Sequence, residues 1–267
     1  MIPLRVCVAV TLLATPALSQ DRIPSHCIAL AAGAALVMQA SFGEPLAADT
    51  VRLRYLGHAA FLIETAAGLT AVTDYTGFTG SRAMIPDIVT MNNAHSTHWT
   101  AVPDPAIPHV LRGWDEGSGP RDHRLDLGEM LVRNVPTDVW GEGGVRRDGN
   151  SIFIFEVAGL CIGHLGHLHQ IPSAAQYAAI GRLDVVMVPV DGGYTLDLAS
   201  MAGVVKRLRS SVVIPMHWFS GVSLELFLAD MGDAFDVVRL DQPDLEMSRD
   251  RRPGRPTIMV LQPAWLD

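Results

Sequence analysis

Four short apolar runs in this chain each stop at residues that can ionise or ligate, and that repetition constrains the fold more than any other feature. Residues 87–91 (DIVTM) lead into Asn92, Asn93, His95 and His98, and residues 160–162 (LCI) lead into His164, His167 and His169. Residues 184–190 end at Asp191, and residues 212–216 end at His217. Short runs of aliphatic and β-branched residues read as buried strands. In open α/β sheets, reactive side chains gather at the carboxyl ends of strands, where loops present them while the sheet fixes their positions. The four run ends therefore predict one shared site.

Between the later runs the pattern turns helical. Ser173 caps a predicted helix over 174–180, and 196–208 carries apolar residues at three-and-four spacing. Lys206, Arg207 and Arg209 fall in its last turn, where cations suit the helix dipole. A helix over 223–231 and strands over 235–240 and 257–261 complete this half. Upstream, 51–55 alternates, while 60–64 and 69–73 are apolar with Ala67-Gly68 between them, which predicts an antiparallel meander. Residues 103–128 and 241–256 read as loops rich in Pro, Gly and charge, the first placed to form a flap over the site.

The chain has 267 residues, 49% of them hydrophobic and 18% charged, enough to bury a sizeable core. Its formal charge is -8 and Lys206 is its only lysine, which argues against a nucleic-acid partner bound through general electrostatics. Basic pairs stand at Arg146-Arg147 and Arg251-Arg252. Residues 1–19 read as a signal peptide: a positively charged start, an apolar run over 6–13, and Ala17-Leu18-Ser19 as a small-x-small cleavage pattern. The implied compartment is the periplasm or the exterior, with no stable membrane insertion after cleavage. Residues 20–50 read as an N-terminal extension, with helix formers over 28–40, and 51–267 as the main domain. Cys27 and Cys161 are the cysteines left after cleavage, and sequence leaves their pairing open.

Leu56-Gly57-His58-Ala59-Ala60-Phe61-Leu62-Ile63-Glu64, the histidine loop after Met91, His164-Leu165-Gly166-His167 and Ile214-Pro215-Met216-His217 follow one another in the order found in the metallo-β-lactamase superfamily. The branch they resemble contains ascorbate-6-phosphate lactonase and related hydrolases. The resemblance implies an α/β fold, a four-layer αββα sandwich with metals held between the sheets. It also locates departures. The family's loop pattern His-x-His-x-Asp-His becomes Asn93, His95, Thr97 and His98, a further family histidine falls on Asp138, and the bridging aspartate falls on His167.

A carboxylate can bridge two cations roughly 3.5–4 Å apart, whereas the lone pairs of imidazole diverge, so His167 in that place predicts one ion. His95, His98, His167 and His217 are the expected ligands of zinc, with manganese or iron as substitutes. Asp138 and Asp191 are the expected proton acceptors and His164 the expected oxyanion stabiliser, with His58, Asn93, Thr97 and His169 in supporting positions. The implied activity is hydrolysis of a small ester, lactone or phosphoester by metal-activated water. The alternative is a degenerate member that keeps the fold and serves as a periplasmic binding or scaffold protein.

Overall fold

The computed structural model describes residue 27 and residues 45–80, 84–141 and 143–264. The expected signal peptide and the helix over 28–40 lie outside the described residues. The chain starts with β1 (Thr50–Gly57), β2 (Ala60–Thr65) and β3 (Thr70–Val72), the predicted meander, in which Leu53 pairs with Ile63 and Ile63 with Ala71. Next come β4 (Ile88–Met91), β5 (His109–Arg112), β6 (Arg124–Asp126), β7 (Met130–Gly141), β8 (Gly144–Val157) and β9 (Leu160–His164). The remaining elements are α1 (Ala174–Ile180), β10 (Val185–Pro189), α2 (Leu198–Leu208), β11 (Val212–Met216), α3 (Gly221–Met231), β12 (Asp236–Arg239), β13 (Asp244–Ser248) and β14 (Thr257–Val260).

Two sheets form, one in the order β13-β1-β2-β3-β4-β5 and the other in the order β12-β14-β11-β10-β9-β8-β7-β6. Between them Leu53, Phe61, Ile63, Phe153, Phe155, Met187 and Ile214 are sealed from solvent. Each such side chain contributes about 1.5–3 kcal/mol through burial. Strand β10 shows why the sequence run looked continuous. Val185 and Met187 face this central core, while Val186 and Val188 face the helices, packing with Ile180, Met201, Val205 and Phe227. A parallel strand covered on both faces has no polar side to display. The outer face of the first sheet is covered, among the described residues, by loops carrying Tyr75, Ile107 and Trp114, with Met84 and Trp99 against them.

The helix limits follow from capping. Ser173 and Gln176 close a capping box on α1, and Asp197 accepts from the Ser200 amide, so α2 starts at Leu198 rather than at residue 196. Two segments expected as loops carry strands: β5 and β6 lie within 103–128, and β13 lies within 241–256. The long β7–β8 hairpin is an addition to the sequence reading. Cys27 is bonded to Cys161, its Cα 5.7 Å away, and Arg182 donates its amide to the Cys27 carbonyl. No helix of the described residues is long and apolar enough to cross a membrane.

Candidate functional site

The histidines converge where the β1–β2 turn and the ends of β3, β4, β9, β10 and β11 meet. Gly57 (φ 124°) and His58 (φ 52°) make the turn in left-handed backbone, and the His58 carbonyl accepts from the His217 amide at 2.8 Å. This bond ties the first sheet to the second. Asp74 (φ 45°) and His217 (φ 58°) are also left-handed, a conformation that costs a side-chain-bearing residue energy and gathers at functional sites.

Two carboxylates set the orientation of two rings. Asp74 Oδ2 accepts from His98 Nδ1 at 2.6 Å, while its other oxygen accepts from the Asn92 amide at 3.0 Å. Asp191 Oδ2 accepts from His217 Nδ1 at 2.8 Å. Each Nδ1 therefore carries the proton, and each Nε2 is left with a lone pair. Those two Nε2 atoms face one another at 3.2 Å. His58 joins them: the ligand atoms of His58, His98 and His217 all lie within 4.8 Å of one another, and His58 Nε2 is buried without a hydrogen-bond partner.

Burial in this apolar setting disfavours the imidazolium forms, and neighbouring histidines add to the effect. His58 is pushed down to about 3 and His167 to about 2, and His98 falls well below the ordinary value. Complete burial pushes the Asp74 carboxyl up to about 6. Neutral rings keep their lone pairs available to a cation.

His167 borders the trio, its ring centroid 4.6 Å from that of His98 and 5.5 Å from that of His217, and its buried Nδ1 has no partner. Gly166 makes this position reachable. At φ 59° its absent Cβ would lie 2.2 Å from Asn92 Nδ2, and the close passage lets the His167 amide donate to Asn150 Oδ1 at 2.9 Å. His95 is exposed, stacks on His167 with centroids 5.4 Å apart, and bonds Thr97 Oγ1 through Nδ1 at 3.0 Å. His169 follows at 4.7 Å from His167, its Nδ1 accepting from the Trp140 amide at 3.3 Å. Two cavities open here. One of about 330 Å³ is lined by His95, Thr97, His167, Tyr194, His217 and Phe219. The other, of about 470 Å³, lies between the β7–β8 tip and the three histidines His95, His167 and His169.

The three expected catalytic residues stand elsewhere or do other work. His164 is fully buried with both nitrogens engaged: Nε2 donates to the Ala59 carbonyl at 2.7 Å, and Nδ1 accepts from Asn92 Nδ2 and the Gly166 amide. It fastens one sheet to the other and has no proton left for an oxyanion. Asp138 sits at a bulge in β7, where its carboxylate accepts from the Asp148 amide, and it lines neither cavity. Asp191 accepts from the amides of Gly193, Tyr194 and Thr195, from Thr195 Oγ1 and from His217. Burial opposes the charge, but these bonds overcome it and hold the carboxyl well below the usual range, so Asp191 orients His217 and is a poor base. The 103–128 loop is not the wall of either cavity; the β7–β8 tip and the residues around Tyr194 and Phe219 are.

Asn93 also departs from expectation, its carboxamide oxygen accepting from Arg146. His58 moves from a supporting position into the central trio. Asp74 escaped the sequence reading although it had the same signal as the four runs, an ionisable residue directly after the apolar stretch 69–73.

The family model described as Beta-lactamase superfamily domain matches residues 52–217, which contain every residue of the trio. The chain belongs to this superfamily. Within it, a UPF0173 metal-dependent hydrolase of Carboxydothermus hydrogenoformans is 25% identical over 213 residues, covering 71% of this chain and 92% of that protein. A UPF0173 metal-dependent hydrolase of Thermococcus kodakarensis is 25% identical over 223 residues, covering 74% and 99%. Among solved structures, a candidate zinc-dependent hydrolase of the metallo-β-lactamase superfamily from Thermotoga maritima superposes with a TM-score of 0.57 at 26% identity, covering 79% of this chain and all of that one. Igni18, a metallo hydrolase of Ignicoccus hospitalis, shares the fold with a TM-score of 0.51 at 18% identity, covering 69% of this chain and 91% of that one. The superfamily fold expected from the motifs is thus the fold observed.

Proposed function

We propose that the chain is an exported metal-dependent hydrolase that holds one divalent cation on His58, His98 and His217 and cleaves a small ester, lactone or phosphoester. The observation that carries this is the pair of Nε2 atoms 3.2 Å apart. With both Nδ1–H groups committed to Asp74 and Asp191, two lone pairs point at each other, an arrangement favoured only with a positive charge between or beside them. Burial holds His98 far below its ordinary value, so that ring does not supply the charge itself. Three imidazoles and an open position suit zinc, and manganese or iron accepts the same donors. When bound, such a cation acidifies water and polarises the bond under attack.

The chain's own groups supply the rest. Asp74 and Asp191 fix the tautomers and the aim of the two rings. His167, neutral and bordering both cavities, offers an acceptor to a water or hydroxyl on the open side of the trio. Burial, and after it the positive charge of Arg146, disfavour the protonated form of His169 on the same side. The names of the curated relatives, metal-dependent hydrolases, support the reaction class. The Cys27–Cys161 bond supports export, since disulfides persist in oxidising compartments.

The test is elemental analysis of purified protein loaded with Zn²⁺ or Mn²⁺, together with turnover of an ester, lactone and phosphodiester panel. About one equivalent of metal is expected, lost along with activity in His98→Ala and His217→Ala that remain folded. Less than about a tenth of an equivalent after loading would overturn the reading. Full loading with no turnover of any class would favour the binding-protein alternative.

A further inference from the structure

The pair Arg146-Arg147 stood out in the sequence as a basic spot, and the structure separates its two members. Arg147 lies near Asp148, whose carboxyl is raised by burial and by the charges of Asp138 and Asp115, a rise that the Arg147 charge partly offsets. Arg146 pairs across the hairpin with Val139, and both line the cavity of about 470 Å³ that also holds His95, His167 and His169. Among the described residues no carboxylate lies within ion-pair distance of Arg146. In a chain of net charge -8, a guanidinium left without an acid at the mouth of the site is a conspicuous choice.

The guanidinium is also held in place. Nη2 donates to the side-chain oxygen of Asn93 and, at 3.1 Å, to the Gly149 carbonyl. Both acceptors are neutral, so they position the group without cancelling its charge. Gly149 leaves the room it occupies: a Cβ there would lie 2.5 Å from Arg146 Nε. Nε and Nη1 remain to donate to a ligand. Guanidinium groups bind carboxylates and phosphates through charge-assisted hydrogen bonds, stronger than neutral ones and sensitive to geometry.

We infer that Arg146 is the residue that recognises the charged end of the substrate, so that the site takes esters, lactones or phosphoesters bearing a carboxylate or phosphate group. The anion sits in the cavity under the β7–β8 tip, beside His167 and His169, with the scissile bond directed toward the His58, His98 and His217 trio. This rests on the hydrolase reading for its reaction and on Arg146 for its selectivity. Trp140, 55% exposed on the same wall, provides an apolar surface for the body of the molecule.

Calorimetric titration tests this with two probes, inorganic phosphate and succinate, at constant ionic strength, on metal-loaded and metal-stripped protein. In wild type at least one probe binds, and which one tells phosphate from carboxylate recognition. Arg146→Gln should weaken that binding by about tenfold or more, and Arg146→Lys by less. Gly149→Ala, which keeps the charge but crowds the guanidinium out, should weaken it as well, and carries the test should Arg146→Gln fail to fold. Metal content should stay at the wild-type level in all three variants. Equal affinity in wild type and Arg146→Gln, no binding of either probe to wild type, or binding that depends on metal alone would each overturn the inference. Loss of the hydrolase reading looks different: absent metal or absent turnover, with Arg146-dependent anion binding intact.

Discussion

Strand β10 has an aspartate beyond each end, and the two do opposite things. Asp184, before the strand, is buried and neutralised by guanidinium groups: Oδ1 accepts from Arg252 at 2.7 Å, and Oδ2 accepts from the Cys161 amide at 2.9 Å and lies 3.2 Å from Arg182. Asp191, after the strand, is equally enclosed, yet among the described residues its only side-chain nitrogen partner is the ring of His217. Asp74 repeats the second pattern with His98. One end of the sandwich thus closes its charges on itself, and the other passes negative charge through imidazoles to a point where lone pairs meet. The same residue type serves stability in one place and cation capture in the other, depending on whether an arginine reaches it.

The strongest way to break this division is to remove Asp184. Asp184→Ala removes a buried carboxylate that contacts the buried Arg252 guanidinium, which should cost about 3–5 kcal/mol of folding free energy. Urea denaturation measures the cost, and elemental analysis should find the metal content of the folded fraction unchanged. A parallel loss of metal would show that the two ends are not separate. At the other end, Asp191→Asn and Asp74→Asn keep the shape but weaken the hold on ring tautomer and basicity. Each should lower metal affinity by about 10–100-fold, with a smaller effect on metal-free stability than Asp184→Ala. Competition with a chromophoric chelator reads the affinity. Unchanged affinity in both variants would remove the carboxylates from the metal argument.

The division was partly visible in the sequence, for reasons that differ by residue. The strand ends at His98, His167, Asp191 and His217 were legible because a doubly covered strand is an unbroken apolar run, and its end is marked by the first residue that cannot be buried without a partner. Asp74 carries that mark too. Asp138 was misplaced because matching a motif by order takes no account of a bulge: a register shift falls between Thr137 and Val139, and the Asp138 carboxylate is taken up by the Asp148 amide. The β7–β8 hairpin escaped because its pattern is broken by residues with remote partners. Arg133 is buried against Glu156 and the carbonyls of Ala179 and Ile180, none of them readable from local periodicity. The Arg146–Asn93 contact spans 53 positions, and the Cys27–Cys161 bond spans 134. His164 misled for a different reason: three residues from His167, it lies at the last position of β9, facing the other sheet.

His164 sharpens the comparison in a further way, because it is a buried imidazole at the reactive end that behaves like the residues of the closed end. Substituting it as His164→Gln removes the Nε2–H bond to Ala59 and should cost about 1–3 kcal/mol, while metal stoichiometry stays as in wild type. Metal loss in this variant with folding retained would return His164 to the site.

The finest test uses the same variant and the pH dependence of stability, measured on chelator-treated protein so that metal does not compete with protons. Burial holds the His164 ring below its ordinary value in the folded state, whereas the unfolded chain titrates it near 6.5. As pH falls through that value the unfolded state binds a proton that the folded state refuses, so folding stability drops with falling pH. One such group contributes a slope of at most about 1.4 kcal/mol per pH unit, reached only well below 6.5. His58, His98, His167 and His169 act in the same direction. Asp74 opposes them: with its pKa raised to about 6, the folded state takes up its proton first and regains stability as pH falls toward the ordinary carboxylate value. Because all these groups remain in His164→Gln, the difference between the two curves reports the His164 ring together with its coupling to Asp74. Urea midpoints at about pH 7.5, 6.5 and 5.5 should fall for both proteins, and fall less steeply for the variant by up to one proton's worth. Parallel curves would mean that His164 accepts its proton when folded, and the strut between Ala59 and Asn92 would then have to be a charged one.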